Sequence, residues 1–480
     1  MPPVLASLVC NTFVAYLFWN DIRKRGATTI SWAPFFWMFL AGSRWVSSWL
    51  SMSPPMDSPD ALAEGSPLDR AAFGALIVWG ATVLARRHIA WPKLFGQNKW
   101  IVLYFLYCLT SMVWAPEPLL LAKRWIKDLG NPIIALVLLT EERPFEAVGI
   151  TLRRLSFVLL PWSVLFVKFY PALGRAYHND GSPMYTGVGH QKNDLGLMCL
   201  MTGLYFGWKL LQRRQGGEAT EKSDTCDYVL ILMLAWLLQK SDSQTSFACL
   251  IVAILVMLIA RLPPVSWKPS RIVLTMASVG VVFAFLQATF QIKDYVLLAL
   301  GRDSTLTSRT EIWEVVGRFE GSPLVGVGFM SFWTGDRLTN IWQACQCQIN
   351  QAHNGYIEQF VNLGYVGVAF ICLIMAFGVF AVRRDFNTQP AAALLRFCFI
   401  IVAALYNYTE ASFYGISNIW VLLLLGSIDM RGVCPDGAML AETTLGESPT
   451  SPRPPYAPFI AARRSPGRSL SPKHGVSARV

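Results

Sequence analysis

Apolar runs of up to roughly 27 residues recur from one end of the chain to the other, separated by short polar segments. Most are long enough for a bilayer core of about 30 Å at 1.5 Å per helical residue. They lie near 4–19, 31–50, 70–87, 100–115, 125–140, 155–170, 194–211, 228–240, 245–262, 272–290, 356–382, 391–408 and 412–430. The pattern predicts an all-α polytopic membrane protein of about 12–13 transmembrane helices. Between the tenth and eleventh runs, residues 291–355 form the only long polar stretch between helices. It reads as one long external loop containing short helices.

Basic clusters set the expected orientation, because cytoplasmic loops carry excess Lys and Arg. Arg23, Lys24 and Arg25; Arg86, Arg87 and Lys93; Arg143, Arg153 and Arg154; Arg213 and Arg214; Arg261, Lys268 and Arg271; Arg383 and Arg384 fall on one side when helices alternate. That side is expected to be the cytoplasm. The first run has no basic residue before it, so it reads as an uncleaved reverse anchor with the amino terminus outside. Thirteen crossings then leave the carboxyl terminus inside. Residues 1–430 read as the transmembrane domain, and 431–480, rich in Pro, Ser and Arg, as a disordered cytoplasmic tail.

Composition narrows the class. The chain is 54% hydrophobic and only 15% charged, where soluble domains carry about a quarter charged residues. The net charge of +11 sits in short clusters between apolar runs, so a lipid bilayer is the expected partner and nucleic acid is not. The ten cysteines form no CxxC pair and no zinc spacing. Cys10, Cys108, Cys199, Cys249 and Cys398 fall inside apolar runs; Cys345 and Cys347 lie in the external loop, where an oxidising compartment can pair one of them.

Candidate chemistry gathers on the external side. In the loop, Thr307 and Ser308 precede Arg309 as an N-terminal cap, and Ile312, Val315 and Val316 give the ensuing helix an apolar face. An arginine in a first helical turn offers a rigid fork of donors beside exposed N–H groups, which suits phosphate oxygens. The spacing equally allows a surface ion pair with Glu311 or Glu314. His353-Asn354 is followed by nine residues, Gly364, two residues and Gly367. The glycines read as a close helix-packing face. His353, at the mouth of a helix, has the right ordinary pKa, near 6.5, to take a proton from a sugar hydroxyl, or serves as a loop residue. Gly187 to Gly196 (GVGHQKNDLG) opens the seventh run from the same side, and with Lys192 reads as a second anion cradle or as a snorkelling lysine at a cap. Lys123, Arg124 and Lys127 oppose the positive-inside trend, which points to an anionic partner. Glu410, between two apolar runs, is a candidate to orient His353 or an arginine.

The order of GVGHQKNDLG, SRTEIW with SPLVGVGF, and HN followed by nine residues and GYVG resembles the O-antigen ligase and bacterial exopolysaccharide polymerase superfamily. The resemblance implies transfer of an oligosaccharide from undecaprenyl diphosphate to a glycan or lipid acceptor hydroxyl, at the outer face of a bacterial inner membrane. It implies an inverting reaction without metal or other cofactor, and other polysaccharide-assembly proteins as possible partners. By motif position, His353 is the base or acceptor-orienting group, Arg309 the diphosphate clamp, and Lys192 with Asn193 part of the donor site; Asn354, Lys123, Arg124 and Lys127 complete the candidate set. Related proteins commonly carry Arg in a Ser-x-Ser-Arg element where this chain has Ser241-Asp242-Ser243-Gln244-Thr245. Gln244 brings hydrogen bonds but no charge, so either Lys240 or the Lys123 cluster is expected to compensate, or the donor geometry differs. The competing class is a lipid-linked oligosaccharide flippase, which would show broken helices in pairs or internal repeats.

Overall fold

Among the described residues the apolar runs fold into helices. The computed structural model describes residues 1–25, 30–52, 65–177, 181–213, 225–262, 271, 309–318, 321–345 and 348–434. The run at 272–290, the segment 301–308 with the Thr307-Ser308 cap, Cys347 and the tail from 435 onward lie outside the described residues. Residues Met1–Met439 form one unit; the second, Leu440–Val480, lies wholly outside them.

Five of the described helices are long and apolar enough to cross a membrane: Pro3–Lys24, Pro67–Ala85, Pro144–Phe169, Gly355–Asp385 and Pro390–Thr409. Shorter apolar helices follow at Lys99–Val113, Gln244–Ile259 and Asn418–Ser427. Among the described residues the only sheet is a two-stranded antiparallel ribbon, Arg175–Tyr177 against Pro183–Tyr185. The chain is an all-α polytopic membrane protein. In the long polar loop, helices Arg309–Gly317 and Gly335–Cys345 enclose a small core of their own around Ile312, Val316, Phe332, Trp333, Leu338 and Ile341. Cys345 there is disulfide-bonded.

Hydropathy misplaced some boundaries. The run at 31–50 is two helices, Ala33–Ala41 and Val46–Trp49, and that at 125–140 is likewise split, at a turn between Pro118–Asp128 and Gly130–Leu139. Arg153 and Arg154 are not loop residues. They lie buried within the helix Pro144–Phe169, which begins well before the apolar run. Arg153 Nη1 meets Asp21 Oδ1 at 2.8 Å, Arg154 Nε meets Asp21 Oδ2 at 3.2 Å, and Arg153 Nε donates to Asp227 Oδ1 at 3.2 Å. Lys209 Nζ also reaches Asp227, at 2.9 Å. Two carboxylates and three cations thus join four helices. Breaking one arm leaves its partner charged and buried, the costly outcome.

The helix Gly355–Asp385 is broken inside. Gly364 adopts φ 65° and ψ −166°, a conformation nearly confined to glycine. Tyr365 and Val366 would otherwise donate to Val361 O and Asn362 O. Instead, Tyr365 N–H donates to Pro323 O (2.8 Å) and Val366 N–H to Leu324 O (3.2 Å). The freed carbonyls are taken up reciprocally: Val327 N–H donates to Val361 O (3.2 Å) and Gly328 N–H to Asn362 O (2.8 Å). A broken helix at membrane depth persists only when its backbone groups find protein partners, and the SPLVGVGF segment supplies them. The approach admits no side chain: a Cβ on Gly364 would stand 2.2 Å from Leu324 C, and one on Gly326 2.4 Å from Asn362 C. Gly364→Ala should therefore cost at least about 2 kcal/mol, read as a lower melting temperature of the detergent-solubilised protein. An unchanged melting temperature would show that the break does not require glycine.

Candidate active site

A junction between two helices sets the positions of His353 and Glu410. Asn354 caps the Gly355 helix, its Oδ1 accepting from Tyr356 N–H (2.9 Å) and Ile357 N–H (3.1 Å). Its Nδ2 donates to Tyr408 O at 3.0 Å, at the end of the Pro390–Thr409 helix. Gly355 N–H donates to Glu410 O at 2.9 Å, and a Cβ at Gly355 would lie 2.2 Å from Asn407 Oδ1, so only glycine fits there. The His-Asn-Gly triplet is thus a weld: Asn caps, Gly allows the approach, and His353 leaves it with φ 50°. Glu410 leaves the other helix at the same point.

Glu410 is the meeting place. Its side chain is 9% exposed. Oε1 accepts from Arg309 Nη2 and from Asn193 Nδ2, each at 2.8 Å. Oε2 lies 3.6 Å from His353 Nδ1, just beyond hydrogen-bond length, and that buried nitrogen has no other partner. The His353 side chain is 25% exposed, although its Nδ1 is buried. Two of the groups singled out as catalytic, Arg309 and His353, and Asn193 from the donor set therefore converge on the third, the Glu410 carboxylate. They come from segments up to 217 residues apart.

The remaining candidates divide. Lys192 Nζ lies 3.7 Å from Asp242 Oδ2, in the turn that carries Gln244. Gln244 is exposed at the start of its helix, and Thr245 beside it bonds Thr409 at 2.6 Å. Lys240 sits 5.3 Å over the Tyr185 ring. The Gly187 cradle is closed: Gly187 and Gly189 N–H donate to backbone carbonyls and Val188 N–H to Ser163 Oγ. His190 and Gln191 N–H both donate to Asp194 Oδ2 at 3.0 Å. The segment's own aspartate holds the place an anion was expected to take, which leaves the side chains of Lys192 and Asn193 as the contribution. Of the wrong-side basic cluster, Lys123 is exposed, Arg124 donates to Met330 O, and Lys127 lies 4.5 Å over the Trp45 ring. None of the three bonds to Glu410 or His353. Burial pulls the Arg124 guanidinium below its ordinary pKa, with Glu117 and Tyr414 opposing.

Two acids were missed: the half-buried Asp194, and the fully buried Glu358 behind His353. Each stands early in a helix, where an acid ordinarily signals only the helix dipole. Among the described residues, no three His, Cys, Asp or Glu side chains are grouped to hold a metal ion.

Comparison with known proteins agrees with the motifs. Residues 228–372 match the family described as O-Antigen ligase. That stretch contains Arg309 and His353 but not Asn193 or Glu410. The exopolysaccharide production protein ExoQ of Rhizobium meliloti (strain 1021) is 26% identical over 307 residues, 60% of this chain and 65% of the relative. The similarity thus spans less than two thirds of that relative's length. Both findings support the O-antigen ligase and polysaccharide polymerase superfamily.

The Arg309–Glu410 pair yields a structural prediction. In a thermal-stability cycle of Arg309→Ala, Glu410→Ala and the double variant, the coupling should be about 1–3 kcal/mol. A coupling near zero would contradict the pairing.

Proposed function

With that superfamily supported, we propose that the chain is a membrane glycosyltransferase of surface-polysaccharide assembly. It moves an oligosaccharide from undecaprenyl diphosphate to an acceptor hydroxyl, either joining repeat units as a polymerase or passing glycan to a glycan or lipid acceptor as a ligase. The relative's name, exopolysaccharide production protein, favours the first; the family description, O-Antigen ligase, favours the second. The observation that carries the reading is that a guanidinium and an imidazole share one buried carboxylate, Glu410.

The step follows from the chemistry of these groups. A sugar hydroxyl is a poor nucleophile, so His353 Nε2 takes its proton as the oxygen attacks the anomeric carbon. The new carbon–oxygen bond forms as the bond to the phosphate oxygen breaks, which inverts the centre and releases undecaprenyl diphosphate. Glu410, facing Nδ1, holds the ring with Nε2 outward and stabilises the imidazolium, as a carboxylate does behind a catalytic histidine. Arg309 engages Glu410 through Nη2 alone, so Nη1 and Nε are available to the diphosphate, with Lys192 and Asn193 alongside. A fixed guanidinium supplies the charge that a divalent metal would otherwise bring, so the reaction proceeds without one. The basic clusters orient the site to the periplasm and the carboxyl-terminal tail, 431–480, to the cytoplasm of a bacterial inner-membrane protein.

In membranes or detergent, His353→Ala and Arg309→Ala should each lower transfer from a defined lipid-diphosphate oligosaccharide by about 100-fold or more, with insertion intact. Normal transfer by His353→Ala would remove the base from the mechanism. Chelator should leave turnover unchanged; inhibition restored by magnesium would overturn the metal-free account.

A further inference from the structure

We propose that Glu358, fully buried and touching no substrate, is the positioning residue that keeps His353 and Glu410 in register. The inference rests on the reading of those two as the reacting pair.

Glu358 lies one turn into the Gly355–Asp385 helix at 0% exposure. Its carboxylate accepts from four donor groups. Trp333 Nε1 lies 3.0 Å from both oxygens, Tyr414 O–H 2.7 Å from Oε2 and Asn362 Nδ2 3.3 Å from Oε2, while Ala352 N–H donates to Oε1. All are donors, which suits a carboxylate and not its amide isostere.

The tethered positions adjoin the site. Ala352 directly precedes His353, and its carbonyl accepts from Trp313 Nε1 at 2.8 Å, on the helix that begins with Arg309. The peptide entering His353 is therefore held on both sides, by Glu358 and by the Arg309 helix. His353 itself stands at φ 50°, a conformation that a non-glycine residue keeps only when its neighbours over-determine it. On the other side, Tyr414 lies four residues beyond Glu410, so the same carboxylate fixes the segment leaving Glu410. Burial and the Glu358 charge hold the Tyr414 phenol well above its ordinary pKa, which keeps it a donor. Trp333 belongs to the loop whose earlier part, Pro323–Gly328, fills the broken helix. One buried charge thus links the loop, the approach to His353 and the exit from Glu410. The 3.6 Å gap between His353 and Glu410 makes their relative placement sensitive to that link.

The test uses the full chain in nanodiscs, with Glu358→Gln and the milder Tyr414→Phe, which removes one O–H and keeps the ring. Two readouts are taken on the folded fraction. The first is the rate at which diethyl pyrocarbonate modifies His353, followed by peptide mass spectrometry with exposed His88 as internal reference. The second is kcat and KM with a lipid-diphosphate oligosaccharide donor.

For Glu358→Gln the His353 rate should shift at least about threefold relative to His88, and kcat should fall about 100-fold with KM for the donor little changed. Tyr414→Phe should give a smaller loss in the same direction, about tenfold, and carries the test if Glu358→Gln does not fold. Unchanged His353 reactivity in a folded variant would overturn the proposal, including where activity falls only with the amount of folded protein. A shifted His353 rate in a protein whose wild type transfers nothing would uphold the positioning role while refuting the glycosyltransferase reading.

Discussion

A carboxylate withdrawn from water is tolerated only if donors meet it, and the candidate site of this protein is arranged around that demand. Glu410 draws Arg309, Asn193 and His353 from three separate segments, because each contributes a proton donor or a positive edge to its two oxygens. Glu358 does the same one layer deeper with Trp333, Ala352, Tyr414 and Asn362. The first carboxylate is half-satisfied, with one oxygen facing an unbonded imidazole nitrogen; the second is saturated. That difference suits the roles proposed for them, the first exchanging partners with an incoming anion and the second only holding shape.

The backbone follows the same rule. The helix that starts at the His-Asn-Gly weld breaks at Gly364, and the four groups freed there pair with Pro323–Gly328. Two motifs far apart in sequence, SPLVGVGF and the glycine pair after His353, are therefore one structural device. It anchors the long loop to the helix behind His353 and so helps relate the Arg309 helix to His353.

Much of this was legible in the sequence. Helix existence and the membrane class followed from apolar runs, and His353, Arg309, Glu410 and Asn193 were all singled out before their convergence was visible. Other parts were illegible for physical reasons. A hydropathy window counts Arg153 and Arg154 as loop charges because their partners lie far off in sequence, Asp21 132 residues from Arg153 and 133 from Arg154, and Asp227 74 from Arg153. Gly364 read as a packing glycine because only the paired loop reveals that its neighbours' hydrogen bonds are missing. The Gly187 segment read as an open anion cradle or a capped lysine, yet its N–H groups are taken by protein acceptors, two of them by its own Asp194. Lys127 looked like a diphosphate ligand, and instead lies over Trp45. Glu358 resembled any acid near a helix start, since its importance lies wholly in what surrounds it.

The central claim is that the diphosphate of the donor lipid takes its place at Arg309, beside the Glu410 carboxylate that now occupies one edge of the guanidinium. A structure of the protein bound to a non-hydrolysable lipid-diphosphate oligosaccharide analogue measures this directly. The account predicts phosphate oxygens about 2.7–2.9 Å from the Arg309 guanidinium nitrogens, with the anomeric carbon facing His353 Nε2. An analogue bound elsewhere, with Arg309 engaged by Glu410 alone and no phosphate within reach, would contradict it.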